Sequence, residues 1–382
     1  MTDVLAAVQE MAPAIRARAE EIERARRLPA DLARALASAG AFRMAVPRDV
    51  GGLELAPDTM LRVIEAAAQA DASVGWCVMI GATSGVTAAY LPVAVAREIF
   101  GDPDTIVGGV FAALGKAEAD GEHYTATGRW PWASGSANCR WLIGGCVVTD
   151  NGTPRRLPNG APDERRLIFP AESVTLLDTW HSQGLCGTGS GEMAVSNLRV
   201  PRAHAASFDV PVATGPLYAF PFFGLLALGI AAVALGNARA AIGDLVTLAG
   251  GKLPQGSRRT LAERGSAQAG LATAEAGLRS ARAFLFEAVE EAWRLAQDSG
   301  AIGMEQRAAL RLAATHAART AADVTRSMYD LGGGSSVFLS SPLQRRFRDA
   351  HVATQHLMVA PPTYELVGRV LMGLPVDKAV PL

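Results

Sequence analysis

From Phe220 to Leu235 the chain reads FPFFGLLALGIAAVAL, without one charged side chain. A helix that is apolar all round has to be covered on every side. The run is shorter than the roughly 20 residues that cross a hydrocarbon core, and it continues into Asn237, Arg239 and Asp244 with helical periodicity. Protein is therefore the expected cover, and the segment is expected as the central helix of a bundle in an oligomer. With 382 residues the chain can surround such a helix, as one large domain or two to three smaller ones.

Three compositional regions flank and contain this run. Residues 1–110 are rich in Ala, Arg and Glu at helical spacing, as in Leu5, Val8, Met11 and Ile15, then Leu32, Leu36 and Phe42. Residues 111–212 change to short β-branched and aromatic runs split by Gly, Asn, Asp and Pro. An example is Leu142 to Val148 before the turn Asp150-Asn151-Gly152. Residues 213–382 return to long helical patterns, broken at Gly250-Gly251, at Asp298-Ser299-Gly300 and at Gly332-Gly333-Gly334. The expected fold class is α+β, mostly α: an N-terminal helical domain, a middle β-barrel domain and a C-terminal four-helix bundle.

A net charge of -1 gives no electrostatic case for nucleic acid or an anionic membrane. Cys77, Cys139, Cys146 and Cys186 have no CxxC spacing and read as reduced core thiols of a cytoplasmic protein. The first ten residues lack the basic and apolar blocks of a secretory signal. Neither a P-loop, a Rossmann GxGxxG nor a metal-ligand spacing is found.

The remaining signals are motifs. The tail runs Arg348-Asp349-Ala350-His351-Val352-Ala353-Thr354-Gln355-His356-Leu357-Met358 and on to Gly368-Arg369-Val370-Leu371-Met372-Gly373. Pro47-Arg48-Asp49-Val50-Gly51-Gly52 and Asp71-Ala72-Ser73-Val74-Gly75-Trp76 stand in the N-terminal region. Gly128-Arg129-Trp130-Pro131-Trp132-Ala133-Ser134-Gly135-Ser136 and Gly184-Leu185-Cys186-Gly187-Thr188-Gly189-Ser190-Gly191-Glu192 stand in the β region. Together they resemble the acyl-CoA dehydrogenases over nearly the whole chain. In those enzymes the tail carries a tyrosine and a catalytic glutamate, where this chain has His356 and Leu357. That exchange is similar to a sister group on the same fold, the group D flavin-dependent monooxygenases. These include dibenzothiophene monooxygenase and the oxygenase components of two-component phenol and 4-hydroxyphenylacetate hydroxylases.

The resemblance implies a site. Ser134 would hold the N5 edge of a flavin and His356, a residue type that titrates near neutrality, would stabilise an oxygen adduct or deprotonate the substrate. Strand alternation would put Trp130, Trp132 and Ser134 on one side, with Trp132 and Ser134 against the flavin. Arg258, Arg259 and Gln268 are candidates for the flavin phosphates, and the segment Gly332-Gly333-Gly334-Ser335 would meet the flavin of a neighbouring subunit through its backbone N–H groups. Trp76, Met79, Thr188 and Met358 would line the substrate pocket. Each also has a plain structural reading: Trp76 and Met79 as helix packing, the glycines as caps and turns, the arginines as solvated charges. His351 lies about 140° from His356 on a continuous helix, so the two need not share a face. Ile80-Gly81-Ala82-Thr83-Ser84 has no histidine where some group D members place one.

The activity implied is that of an oxygenase component using reduced FMN or FAD and O2, through a C4a-(hydro)peroxyflavin, to oxygenate a small aromatic or heteroatom-containing substrate. A separate NAD(P)H-dependent flavin reductase would deliver the flavin, and the assembly would be a homo-oligomer, the family's usual one being a tetramer. The alternatives are an acyl-CoA dehydrogenase or oxidase with a displaced base, for which Glu365 is poorly placed, and a scaffold that binds no flavin.

Overall fold

The computed structural model describes residues 3–376. Six helices come first: α1 (Val4–Ala17), α2 (Ala19–Ala25), α3 (Ala30–Ser38), α4 (Pro57–Ala70), α5 (Ala72–Ser84) and α6 (Val93–Phe100). Their starts follow local chemistry. Asp3 caps α1 by accepting from the Leu5 and Ala6 amides at 3.0 and 3.2 Å, and Asp71 caps α5 from Ser73 and Val74 at 2.9 and 3.2 Å. Gly75 lets α5 lie directly on α4, since a Cβ there would fall 2.4 Å from the Ala68 Cβ.

Eight strands follow: β1 (Val107–Asp120), β2 (His123–Trp130), β3 (Trp141–Asp150), β4 (Thr153–Pro154), β5 (Glu164–Pro170), β6 (Thr175–Leu177), β7 (Glu192–Pro201) and β8 (Ala205–Ala206). They form one sheet in the order β6-β7-β2-β1-β3-β5-β8, with β4 paired to β3. All pairs are antiparallel except β1 with β3. The Asn151-Gly152 turn has both residues at positive φ, 48° and 79°, as a tight hairpin requires. Trp130 fills the sheet's core. Its ring lies over three glycines, Gly115, Gly128 and Gly144, where a Cβ would come within 2.3, 2.5 and 2.9 Å of it. Between Val110 and Gly115 the β1–β3 register slips, so residues 111–114 bulge from the ladder.

The last helices are α7 (Pro216–Ala219), α8 (Phe222–Gly251), α9 (Gly265–Ser299), α10 (Met304–Gly332), α11 (Pro342–Ala353) and α12 (Pro362–Leu371). The uncharged run forms the first half of α8, which packs on α4, α5, α9, α10 and α11. By length and composition α8 and the stretch 72–90 could each cross a membrane, yet 94% of each apolar window is buried inside the protein. The expected boundaries need adjustment. Strand β1 begins at Val107, inside the stretch assigned to helices, and one continuous apolar cluster joins α1, α4 and α5 to α8, α9 and α10. The two helical regions share a core, and the sheet has its own.

Candidate active site

Where α5 passes the loop after β2, four polar side chains make one chain of hydrogen bonds. The Trp76 indole N–H donates to Ser134 Oγ at 3.1 Å, Ser134 Oγ meets Ser190 Oγ at 2.6 Å, and Ser190 Oγ meets Thr188 Oγ1 at 2.6 Å. Thr188 donates to the Leu185 carbonyl at 2.7 Å. Each hydroxyl has one hydrogen, so the direction is set. Thr188 spends its hydrogen on Leu185, Ser190 must donate to Thr188, and Ser134 must donate to Ser190. Ser134 is left as an acceptor with one lone pair still open after Trp76 has taken the other.

His356 faces the same tryptophan, its ring centroid 5.9 Å from that of Trp76 at an interplanar angle of 62°. It stands past the end of α11, at the cap of a single 3-10 turn (Leu357–Val359), and its Nδ1 accepts the Met358 amide at 3.2 Å. With Nδ1 as acceptor, the neutral ring carries its hydrogen on Nε2. Burial, and then the positive charge of Arg311, push the His356 pKa down to about 4. The ring is therefore neutral at pH 7 and a hydrogen-bond donor. This differs from the expectation of a histidine that titrates near neutrality. Arg311, on α10, donates to the Met358 carbonyl at 3.1 Å and to Thr363 Oγ1 at 3.4 Å, fixing the turn that carries His356.

Several expected residues fall elsewhere. Strand β2 ends at Trp130, so the alternation extended through Ser134 fails: Trp130 is in the sheet core, Ser134 is 4% exposed behind the loop, and Trp132 is 68% exposed with φ 63°. Met79 does not line a pocket. It is fully buried against α8, where a Cβ on Gly229 would meet its Cγ at 2.5 Å. Met358 serves through its backbone while its side chain is in the core. Because α11 stops at Ala353, the helical-wheel relation of His351 to His356 does not apply; His351 packs on Phe347 at 4.2 Å and bonds the Phe347 carbonyl at 2.8 Å. Glu365 is exposed on α12, beyond the break, and is no substitute base.

Arg258, Arg259, Gln268 and Gly332 to Ser335 gather at one end of the helical bundle. Lys252 links the group by bonding the Gly332 carbonyl, and Gln268 bonds the Ala262 carbonyl at 2.9 Å. No described hydrogen bond or ion pair connects them to Ser134 or His356 within the chain. Ser190 and Arg311 were not singled out from the sequence. Ser190 lies in the glycine-rich run beside Thr188 and could have been; Arg311 carries no local signal.

The loop surface suits a planar cofactor. Trp132, Trp180, Thr179, Ser190 and Glu192 border a cleft of about 270 Å³, continuous in its lining with a second cleft of about 410 Å³ beside Arg26, Arg27 and Gly189. An exposed indole held at positive φ is a conformation that costs about 1 kcal/mol or more and persists at ligand sites. Of the hydrogen-bonded chain only Ser190 reaches the lining of this cleft, with Ser134 buried directly behind it; a flat apolar wall is what a flavin ring needs.

Models of the acyl-CoA dehydrogenase N-terminal and C-terminal domains match residues 3–94 and 228–361. An indole-3-acetate monooxygenase of Pseudomonas putida is 35% identical over 94% of this chain and 90% of its own. The chain belongs to the flavin-dependent monooxygenases of the acyl-CoA dehydrogenase fold. This monooxygenase is also similar to the oxygenase subunit HsaA of Mycobacterium tuberculosis, at 28% identity over 97% of this chain and 96% of that one. The crystal structure of that enzyme superimposes with a TM-score of 0.90 over 98% of both chains. XiaF from Streptomyces, solved with FADH2, gives a TM-score of 0.88 at 26% identity over 99% of this chain and 96% of that one. Leu357, 68% exposed where the dehydrogenases carry their glutamate, agrees: no carboxylate stands at the position that defines acyl-CoA oxidation.

Proposed function

We propose that this flavin-dependent monooxygenase takes reduced FMN or FAD from a separate NAD(P)H-dependent reductase and oxygenates a planar aromatic substrate, and that it does so as a homo-oligomer, a tetramer, in the cytoplasm. The observation that carries the reading is the direction of the Trp76–Ser134–Ser190–Thr188 chain. It leaves Ser134 able to accept but not to donate. Reduced flavin has an N5–H to give; oxidised flavin does not. A site that offers an acceptor there favours the reduced form arriving from elsewhere.

When bound, reduced flavin supplies the electrons and the carbon at which O2 is activated. The chain's own residues do the rest. Ser134 would accept from the N5–H of a reduced flavin, and the His356 Nε2–H would be a donor for negative charge on a reacting oxygen. Arg311 and the Met358 amide hold that ring in its tautomer, and the apolar walls exclude water.

The oligomer is supported by the exposed apolar side chains Val337, Phe338 and Leu339, beside the glycine segment, and Leu253, beside Lys252. A neighbouring copy packed there would bring Arg258, Gln268 and Gly332 to Ser335 to the flavin phosphates. Four free thiols support a reducing compartment. The reading is tested by supplying chemically reduced FAD or FMN in oxygenated buffer with indole and related aromatics, and measuring oxygenated product against hydrogen peroxide. Product accompanied by retarded flavin oxidation is expected. Flavin oxidation at the free-solution rate with peroxide alone would refute it.

A further inference from the structure

The three hydroxyls of Ser134, Ser190 and Thr188 could pass their hydrogens in either direction, and it is the Leu185 carbonyl at the far end that decides. Without that acceptor, Thr188 is free to donate to Ser190 and Ser190 to Ser134. Trp76 donates to Ser134 as well, so both lone pairs of Ser134 would be filled and its own hydrogen left over. The same four side chains would then present a donor where they now present an acceptor. Whatever holds the Leu185 peptide chooses between the two.

That peptide is held in a conformation it would not keep unaided. Leu185 is buried at φ 50°, in the left-handed region that a branched side chain disfavours. Its carbonyl accepts from the Thr188 hydroxyl at 2.7 Å, from the Trp180 indole at 3.1 Å and from the Thr188 amide at 3.1 Å. Its amide donates to Asp349 Oδ1 at 2.6 Å. A carboxylate so placed, within α11 and itself buried, fixes the peptide from the side opposite the relay.

Its neighbours seat the loop on the same helix. The Arg348 guanidinium donates to the Gln183 carbonyl, and Gly184 lies so close to α11 that a Cβ there would fall 2.4 Å from the Arg348 carbonyl oxygen. Three consecutive loop residues, 183 to 185, thus take their place from Arg348 and Asp349. The chain leaving α11 goes on to His356. One helix therefore orients both the acceptor at Ser134 and the donor at His356.

We propose that Asp349 is a positioning residue: by holding the Leu185 amide it sets the direction of the Thr188–Ser190–Ser134 relay, and with it the preference of the site for reduced over oxidised flavin. The inference rests on the monooxygenase reading above and names what regulates its acceptor. The test is a pair of titrations of the full chain, with reduced FAD under anaerobic conditions and with oxidised FAD, together with hydrogen exchange over residues 183–190 in the flavin-free protein. Wild type binds the reduced form more tightly. Asp349→Asn keeps an acceptor oxygen, and so keeps both the preference and the protection of the loop. Asp349→Leu has none; exchange in the loop rises and the reduced-to-oxidised affinity ratio falls about tenfold, one hydrogen bond's worth. If Asp349→Leu does not fold, Gly184→Ala, which leaves the carboxylate and displaces the same amide, gives the same fall. An aspartate that only stabilised the fold would weaken both forms alike. A ratio unchanged in the variants, or one that falls as far in Asp349→Asn as in Asp349→Leu, overturns the proposal and leaves the monooxygenase reading standing. Wild type that binds neither form of FAD faults that reading, and the proposal with it.

Discussion

The Trp76 indole N–H and the Ser134 hydroxyl meet 3.1 Å apart, joining α5 to the loop after β2. That bond uses one Ser134 lone pair and, with Ser190 taking the hydrogen, determines what the serine can offer a ligand. Trp76→Phe keeps the ring and removes the donor. It should cost about 1 kcal/mol of stability and raise the hydrogen peroxide released per reduced flavin consumed, measured by thermal melts and a peroxide assay. An unchanged peroxide yield would mean that the indole is only packing.

Ser190→Ala gives a sharper test of direction. With its acceptor gone, the Ser134 hydrogen is released from Ser190, and the serine becomes a donor as well. The affinity ratio of reduced to oxidised flavin should fall by about tenfold, a single hydrogen bond's worth. Anaerobic and aerobic flavin titrations measure it, and an unaltered ratio would contradict the relay.

His356 carries a pH prediction with a definite sign. Its folded pKa, about 4, lies below the ordinary 6.5. The unfolded chain therefore takes the proton first, and the neutral ring's contribution to stability is complete above pH 6.5 and is lost as pH falls through about 4. Relative to His356→Gln, wild type should lose melting temperature over that window. His356→Ala should lower the oxygenation kcat about a hundredfold, as loss of one charge-stabilising donor does, and His356→Gln should recover part of it. Full activity in His356→Ala would remove the histidine from the mechanism.

Asp349 is buried, accepts the Leu185 amide at 2.6 Å and has its pKa raised to about 7 by burial and by the nearby Asp71. Its ionised form is disfavoured in the fold, so the stabilising, protonated state is present at low pH and is lost as pH rises through about 7. Asp349→Asn keeps the acceptor without the charge. It should melt higher than wild type at pH 8, by a smaller margin at pH 5, and equal to it only below the ordinary 3.8; lower melting at pH 8 would show that the carboxylate is needed as a charge.

Gly75→Ala places a methyl 2.4 Å from the Ala68 Cβ, where α4 cannot yield without moving backbone. Overpacking of this kind costs about 1–3 kcal/mol. Denaturant unfolding checks it, and a neutral result would mean that the two helices are less tightly seated than their geometry indicates.

The helical, sheet and helical order was readable because apolar spacing at 3.6 and at 2 residues survives in a single sequence, and so was the burial of the run from Phe220. Ser134 and His356 came from motif resemblance, and the structure puts both beside Trp76. The strand's end at Trp130 was not readable, because it depends on Trp132 adopting a positive φ that its side chain disfavours. The break after Ala353, which sets His356 on a separate turn, was hidden in a stretch of good helix formers ahead of Pro361. Arg311 belongs to an ordinary amphipathic helix. Only the path of α10 past the tail gives it meaning.

The burial of α8 bears on the order in which the chain can be completed. Helices α4 and α5 leave the ribosome long before residue 222, and the surface they need is on α8. The whole sheet domain is synthesised in the interval. Nascent α4 and α5 thus wait for the surface on α8, and closure of the helical core is a nonlocal event that cannot precede synthesis of the sheet.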